Sequence, residues 1–303
     1  MLGKGGVGKS TVSAALGLAA ARAGKRSLLI EVAGQNRLSR LFRGAEVGHE
    51  APAELAPRLF GVQVDVEYAI EEYLTGQLKV RPLVELLTRS RAFHTFAAAA
   101  PGLPELVTVG KIWTYAVALR EDRRPVWDQL VVDCPATGHG VALLETAGNV
   151  EEIAGGGPIR DQAARIQEVV SHPAATGIAI VARPEELAIS EAVEAAEALR
   201  ERGLPVAAAV LNGVRGDRFR PDEEPALAGL AATADGPPSR AAAAALRHLA
   251  GQRADEGYRR RLAEGTRLPL IELPELVRRR FDLAALEELS GALAGAVSRN
   301  GRP

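Results

Sequence analysis

Cysteine is nearly missing from this chain: Cys134 is the only one in 303 residues. A lone thiol forms no intrachain disulfide, and without a C-x-x-C pair there is no zinc-site spacing. Methionine stops at Met1, so the flexible thioethers that line promiscuous apolar grooves are not available. Aromatics are few beside abundant alanine, which reads as base composition of the genome rather than as function. No uninterrupted apolar run approaches the length of a membrane span, and the N-terminus has no signal-peptide pattern. A formal net charge of −1 provides no overall basic field for nucleic acid or anionic lipid. These absences set an expectation: a cytoplasmic protein with no nucleic-acid partner and no stable membrane insertion. The length suits one large domain or two small ones.

One motif is present in concentrated form. Gly3-Lys4-Gly5-Gly6-Val7-Gly8-Lys9-Ser10-Thr11 satisfies G-x-x-x-x-G-K-[ST]. Gly3, Gly5, Gly6 and Gly8 let the backbone turn tightly with its N–H groups aimed at an anion, and the helix that follows adds the positive end of its dipole. Lys9 then reaches the β- and γ-phosphates of a nucleotide, Ser10 ligates Mg²⁺, and Thr11 meets the α-phosphate. The chain has five lysines, at 4, 9, 25, 79 and 111, among 37 basic residues. Two of the five fall inside this motif, which argues against a chance glycine turn.

The pattern downstream alternates. Residues 9–23 read as a helix stopped by Gly24. Ser27–Val32 is a short apolar run expected of a buried parallel strand, and Leu59 to Val66 is a second candidate. From about 67 to 124 the periodicity is helical, with Leu83, Leu86 and Leu87 on one stripe and Leu106, Val109, Ile112 and Trp113 on another, separated by Pro101-Gly102-Leu103-Pro104. Strand signals return at 129–133, 177–181, 206–211 and 268–273, with helices at 158–171, about 184–202 and about 282–298. Residues 216–240, rich in Pro, Gly and Asp, read as a loop or mobile surface segment. Strands alternating with helices predict an α/β, doubly wound, mostly parallel sheet, a single domain over 1–303 with a helical insertion at about 67–124. A phosphate loop ordinarily follows a buried strand, yet only Met1 and Leu2 precede Gly3. The first core strand is therefore expected to be missing from the N-terminus, through a start codon placed too far downstream.

Leu130-Val131-Val132-Asp133 is an apolar strand ending in a carboxylate. Ligands of open α/β sheets sit beyond the carboxyl ends of the strands, so Asp133 is placed to hold Mg²⁺ through water. Pro135 fixes a turn leading to Gly138 and Gly140, which presents N–H groups to a γ-phosphate. His139 reads as a turn histidine with local hydrogen bonds, and Cys134 as a buried strand-end residue rather than a nucleophile.

The stretch GKGGVGKST resembles the deviant phosphate loop (deviant Walker A) of the ParA, MinD, nitrogenase iron-protein and ArsA group of P-loop NTPases. Asp133-Cys134-Pro135-Ala136-Thr137-Gly138-His139 narrows the resemblance to the ArsA family, together with Pro101-Gly102-Leu103-Pro104-Glu105-Leu106 and Pro184-Glu185-Glu186-Leu187. The resemblance implies that Lys4 crosses a dimer interface to the partner's nucleotide, that Asn212 contacts adenine, and that the stretch from Leu268 to Leu276, with Pro274, closes over the base. It implies ATP or ADP and Mg²⁺ as cofactors, and a homodimer or a heterodimer with a related ATPase. The helical insertion would offer a site for a protein client. The chain departs from the family at the first switch, where Ala33 stands in the position of the water-orienting acid. Glu31 lies two residues earlier on the same side of the strand, and Asn36 remains as a polar switch residue. The expected activity is accordingly a slow, Mg-dependent ATPase acting as a nucleotide-driven dimeric switch on a protein or anion partner. The alternatives are a weakly or non-hydrolysing regulatory subunit and a ParA/MinD-like positioning ATPase.

Overall fold

A computed structural model of the chain describes residues 1–32, 36–42, 44–78, 90, 102–153, 156–278 and 280–300. Helix α1 (Lys9–Arg22) leads to strand β1 (Ser27–Val32), with Gly24 (φ 87°) turning the chain between them. Short helix α2 (Arg37–Leu41), β2 (Ala53–Ala56), β3 (Leu59–Val64) and α3 (Val66–Leu78) follow. Next come α4 (Leu103–Ala116), β4 (Gln129–Asp133), α5 (Thr137–Ile153) and α6 (Pro158–Ser171). The chain continues through β5 (Ile178–Ala182), α7 (Glu186–Glu201) and β6 (Val206–Val214). It closes with α8 (Glu224–Thr233), α9 (Pro237–Thr266), β7 (Leu270–Pro274) and α10 (Leu283–Asn300).

The strands form two sheets, in the orders β2-β3-β1-β4 and β5-β6-β7. Every pairing is parallel except that of β2 with β3. Successive strand residues point to opposite faces, and the two faces are covered by different helices. Leu29, Val131, Val181, Val210 and Leu273 pack with Val12 and Leu18 of α1 and Leu286, Leu289 and Leu293 of α10. Ile180, Ala209 and Leu211 pack instead with Leu143 of α5, Ile166 of α6, Ile189 and Leu199 of α7 and Leu262 of α9. The doubly wound architecture is thus as expected.

Met1 and Leu2 occupy the seam between the sheets. The Met1 amino group donates to the Val132 carbonyl at 2.7 Å, and the Met1 carbonyl accepts from Cys134 N. On the other side Leu2 N donates to Ala179 O and Leu2 O accepts from Val181 N. Two residues therefore fill the place where a central strand was expected, and the ladder groups of β4 and β5 that face them are partly satisfied.

Three expectations need correction. Residues 216–240 are largely helical: a 3₁₀ turn at Pro221–Glu223, then α8, then the start of α9. The prolines there sit in first helical turns, where no backbone N–H is required, so they begin helices rather than break them. Val66 opens α3 instead of closing the second strand. His139 lies in the first turn of α5, because Gly140 N already bonds back to Ala136 O at 3.0 Å. In the insertion, α3 and α4 are the expected helices; Leu83, Leu86, Leu87 and Pro101 fall outside the described residues.

Candidate phosphate-binding site

The loop from Gly3 to Gly8 leaves the seam and enters α1 at the carboxyl ends of the strands. It fits only because two positions lack side chains. At Gly3 (φ 145°) a Cβ would lie 2.2 Å from the Val181 carbonyl oxygen; at Gly8 (φ 92°) it would lie 2.3 Å from Asn212 Nδ2. The Val7 side chain is buried and anchors the loop in the core, while Gly5 and Gly6 form its exposed crown. Asn212, near the end of β6, donates from Nδ2 to the Val7 carbonyl at 2.9 Å. The residue expected to touch adenine is therefore in contact with the phosphate loop itself. Pro274 ends the next strand, with Leu273 opposite Asn212 in register.

Lys9 is buried, and its ammonium folds into the loop, donating to the carbonyls of Gly3 (2.9 Å) and Lys4 (3.0 Å). Burial lowers its pKa; the Asp133 charge works against that shift and Arg37 adds to it. Ser10 is buried beside it at the start of α1, and Thr11 is half-buried in the same turn. Asp133, at the end of β4, is buried, with its pKa raised mainly by desolvation and held back by hydrogen bonding from Ser10 and by the N-terminal amine, Arg37 and Lys9. Its Oδ1 has no hydrogen-bond partner, and neither has the buried Oγ1 of Thr137. A buried oxygen without a partner is a costly feature that a ligand would relieve. A hydroxyl and a carboxylate are hard oxygen donors of the kind Mg²⁺ takes, so Ser10 and Asp133 fit that ion. Pro135 is half-buried between β4 and α5, and Gly138 is exposed in the first turn of α5. Cys134 is buried, its thiol pKa pushed up by burial, which suits a structural residue and not a nucleophile.

Lys4 points elsewhere. Its Nζ pairs with Glu191 Oε1 of α7 in the same chain at 2.8 Å, with both side chains about one-third exposed. Glu31 is buried and commits both carboxylate oxygens, one to Arg37 N (2.9 Å) and one to Leu38 N (3.2 Å), so it caps α2 rather than facing a reacting water. Asn36 (φ 50°) is exposed and accepts a hydrogen bond from Gln63 Nε2. Ala33 lies outside the described residues. Sequence reasoning did not find Arg37, whose Nη1 donates to Ser10 Oγ at 2.9 Å, or Glu191. No local pattern marks either one; only the fold brings them to the loop.

A glycine loop feeding a helix beneath a parallel sheet, with an acid at the end of a neighbouring strand, defines a P-loop NTPase fold. The chain belongs to the anion-transporting ATPase (ArsA) family, whose model matches residues 1–155, a stretch holding the loop, Arg37 and Asp133. It is similar to the ATPase BagA of Mycobacterium tuberculosis, 33% identical over 214 residues that cover 69% of this chain and 63% of that protein. It is also similar to the arsenical pump-driving ATPase of Acidiphilium multivorum, 28% identical over 236 residues covering 70% of this chain and 38% of the other. The chain thus spans less than two thirds of these relatives. Among the described residues no helix is long and apolar enough to cross a membrane.

Proposed function

We propose that this chain binds Mg–ATP in the Gly3–Thr11 loop and hydrolyses it slowly, as one half of a dimeric, nucleotide-driven switch. The single observation carrying this reading is the buried cluster of Lys9, Ser10 and Asp133 at the mouth of the glycine loop, with Asp133 Oδ1 left without a partner. Burying an ammonium and a carboxylate is expensive unless a ligand uses them. Lys9 would exchange its two loop carbonyls for phosphate oxygens, and the loop amides would cradle the same anion. Ser10 and Asp133 would hold Mg²⁺, which supplies neutralisation of phosphate charge. The slow rate is proposed because the sequence has alanine at position 33 and the nearest acid, Glu31, is taken up by the amides of α2. Positioning of the attacking water carries much of phosphoryl-transfer catalysis.

The dimer is proposed from the exposure of Lys4. Its pair with Glu191 is about one-third exposed, and such pairs are worth about 1 kcal/mol or less, so a partner's triphosphate could outcompete it. A client would approach the insertion, where α3, α4 and α6 enclose a cavity of about 410 Å³ lined by Ala69, Tyr73, Leu106, Val107 and Ile166 among others.

Calorimetry with Mg–ATP, together with phosphate release, tests the reading on the wild type, Lys9→Ala and Ala33→Asp. We expect Lys9→Ala to lose about 100-fold in affinity and all turnover above background, and Ala33→Asp to hydrolyse faster. Equal turnover in wild type and Lys9→Ala would rule out an ATPase. Tight binding without turnover in the wild type would favour the regulatory-subunit reading.

A further inference from the structure

The two side chains suited to a divalent cation already have a cation beside them. Arg37 Nη1 donates to Ser10 Oγ at 2.9 Å and stands 3.9 Å from Asp133 Oδ2. The fold builds this placement. In the parallel pairing of β1 with β4, Glu31 is directly opposite Asp133, so two acids lie side by side at the carboxyl end of the sheet. Their tasks differ. Glu31 fixes the first turn of α2 through the amides of Arg37 and Leu38, and that turn carries the Arg37 guanidinium to the oxygens of Ser10 and Asp133. Asn36, in the left-handed conformation (φ 50°), makes the bend into that helix. The Arg37 side chain is 37% exposed, whereas Asp133 is buried.

We propose that Arg37 is a resident counter-cation of the Ser10–Asp133 pair, and that it gives way to a divalent metal ion when a metal–nucleotide complex enters. The argument is electrostatic. A guanidinium within hydrogen-bond distance of Ser10 and about 4 Å from Asp133 repels a second cation placed on the same oxygens. A free ion brings nothing to offset that repulsion. An ion carrying a triphosphate brings anionic oxygens, to which a planar guanidinium rebinds in bidentate fashion. The arrangement would keep free metal off the pair and admit it only with nucleotide. The nucleotide half of this inference rests on the function proposed above; the metal half does not.

The test uses the full chain without nucleotide and manganese(II) alone as the probe, followed by electron paramagnetic resonance. Wild type, Arg37→Gln, Arg37→Met and the double variant Arg37→Gln/Asp133→Asn are compared after thermal unfolding has confirmed a folded state; two uncharged replacements guard against failure of one to fold. We expect either single variant to bind Mn²⁺ at least about 10-fold more tightly than the wild type, and the double variant to lose that gain. Equal Mn²⁺ affinity in wild type and both single variants would overturn the proposal, as would a gain that survives Asp133→Asn. In a parallel arm, ATP affinity with and without Mg²⁺ should become more metal-dependent in Arg37→Gln. Failure of every protein to bind ATP would overturn the nucleotide reading while leaving the manganese result to stand on its own.

Discussion

Gly8 takes φ 92°, and the place its missing methyl would fill is 2.3 Å from Asn212 Nδ2, which itself donates to the Val7 carbonyl at 2.9 Å. Gly8→Ala therefore incurs two costs, about 1–2 kcal/mol for a left-handed backbone and about 1 kcal/mol for the hydrogen bond lost when Asn212 is pushed aside. Urea unfolding should show Gly8→Ala down by about 2–3 kcal/mol and Asn212→Ala down by about 1. The double variant should fall short of their sum by roughly 1 kcal/mol, because removing the amide makes room for the methyl. Strict additivity would show that Asn212 does not guard the loop. At this scale the sequence was readable where chemistry is local. Lys9 and Ser10 follow from a nine-residue spacing, and Asp133 follows from its place after an apolar run. Arg37 and Glu191 were not readable, since their partners are 27 and 187 residues away in the chain. Glu31 lies on the same side of its strand as position 33, but its carboxylate holds backbone amides that only the turn into α2 delivers.

Among elements, buried strands and alanine-rich helices were legible because their apolar patterns are continuous. The segment 216–240 was not, because proline carries one meaning in a loop and another in a first helical turn, and composition does not distinguish them. The helical insertion shows a titration that can be followed directly. Tyr115 of α4 lies with Lys111 Nζ 5.2 Å from its ring centroid, and Lys111 pairs with Glu72 of α3. Burial, with smaller contributions from Glu72 and Tyr68, pushes the Tyr115 phenol from its ordinary 10.0 up to about 12. Between those values the folded chain keeps a proton that the unfolded chain has released, so stability falls as pH rises from 10 toward 12. Absorbance titration of the phenolate band should therefore show a late step that Tyr115→Phe removes. If the wild type and the variant differ only by a step near pH 10, Tyr115 is not held in the α3–α4 packing described.

For the whole molecule the question is what makes two half-sheets one folding unit. The cluster beneath α1 and α10 draws Leu29 and Val131 from one sheet and Val181, Val210 and Leu273 from the other, so one face is shared. On the opposite face the link is narrower. Leu2 is fully buried, packs with Ile180 and Leu211, and its backbone bonds to β5 while Met1 bonds to β4 and the residue after it. Gly140 comes so close that a Cβ there would lie 2.3 Å from Leu2 Cδ2, which leaves little slack for the surroundings to collapse into a smaller side chain. Leu2→Ala should then cost about 4–5 kcal/mol, the upper part of the range for buried leucines. The backbone bonds of the seam and the shared α1–α10 core are untouched by that change, so the transition should remain single, with a lower urea midpoint and an unchanged slope. A shallower slope, or two separate transitions, would mean that the half-sheets unfold independently and that the Leu2 side chain, not the shared core, couples the phosphate loop's sheet to the β5–β7 side.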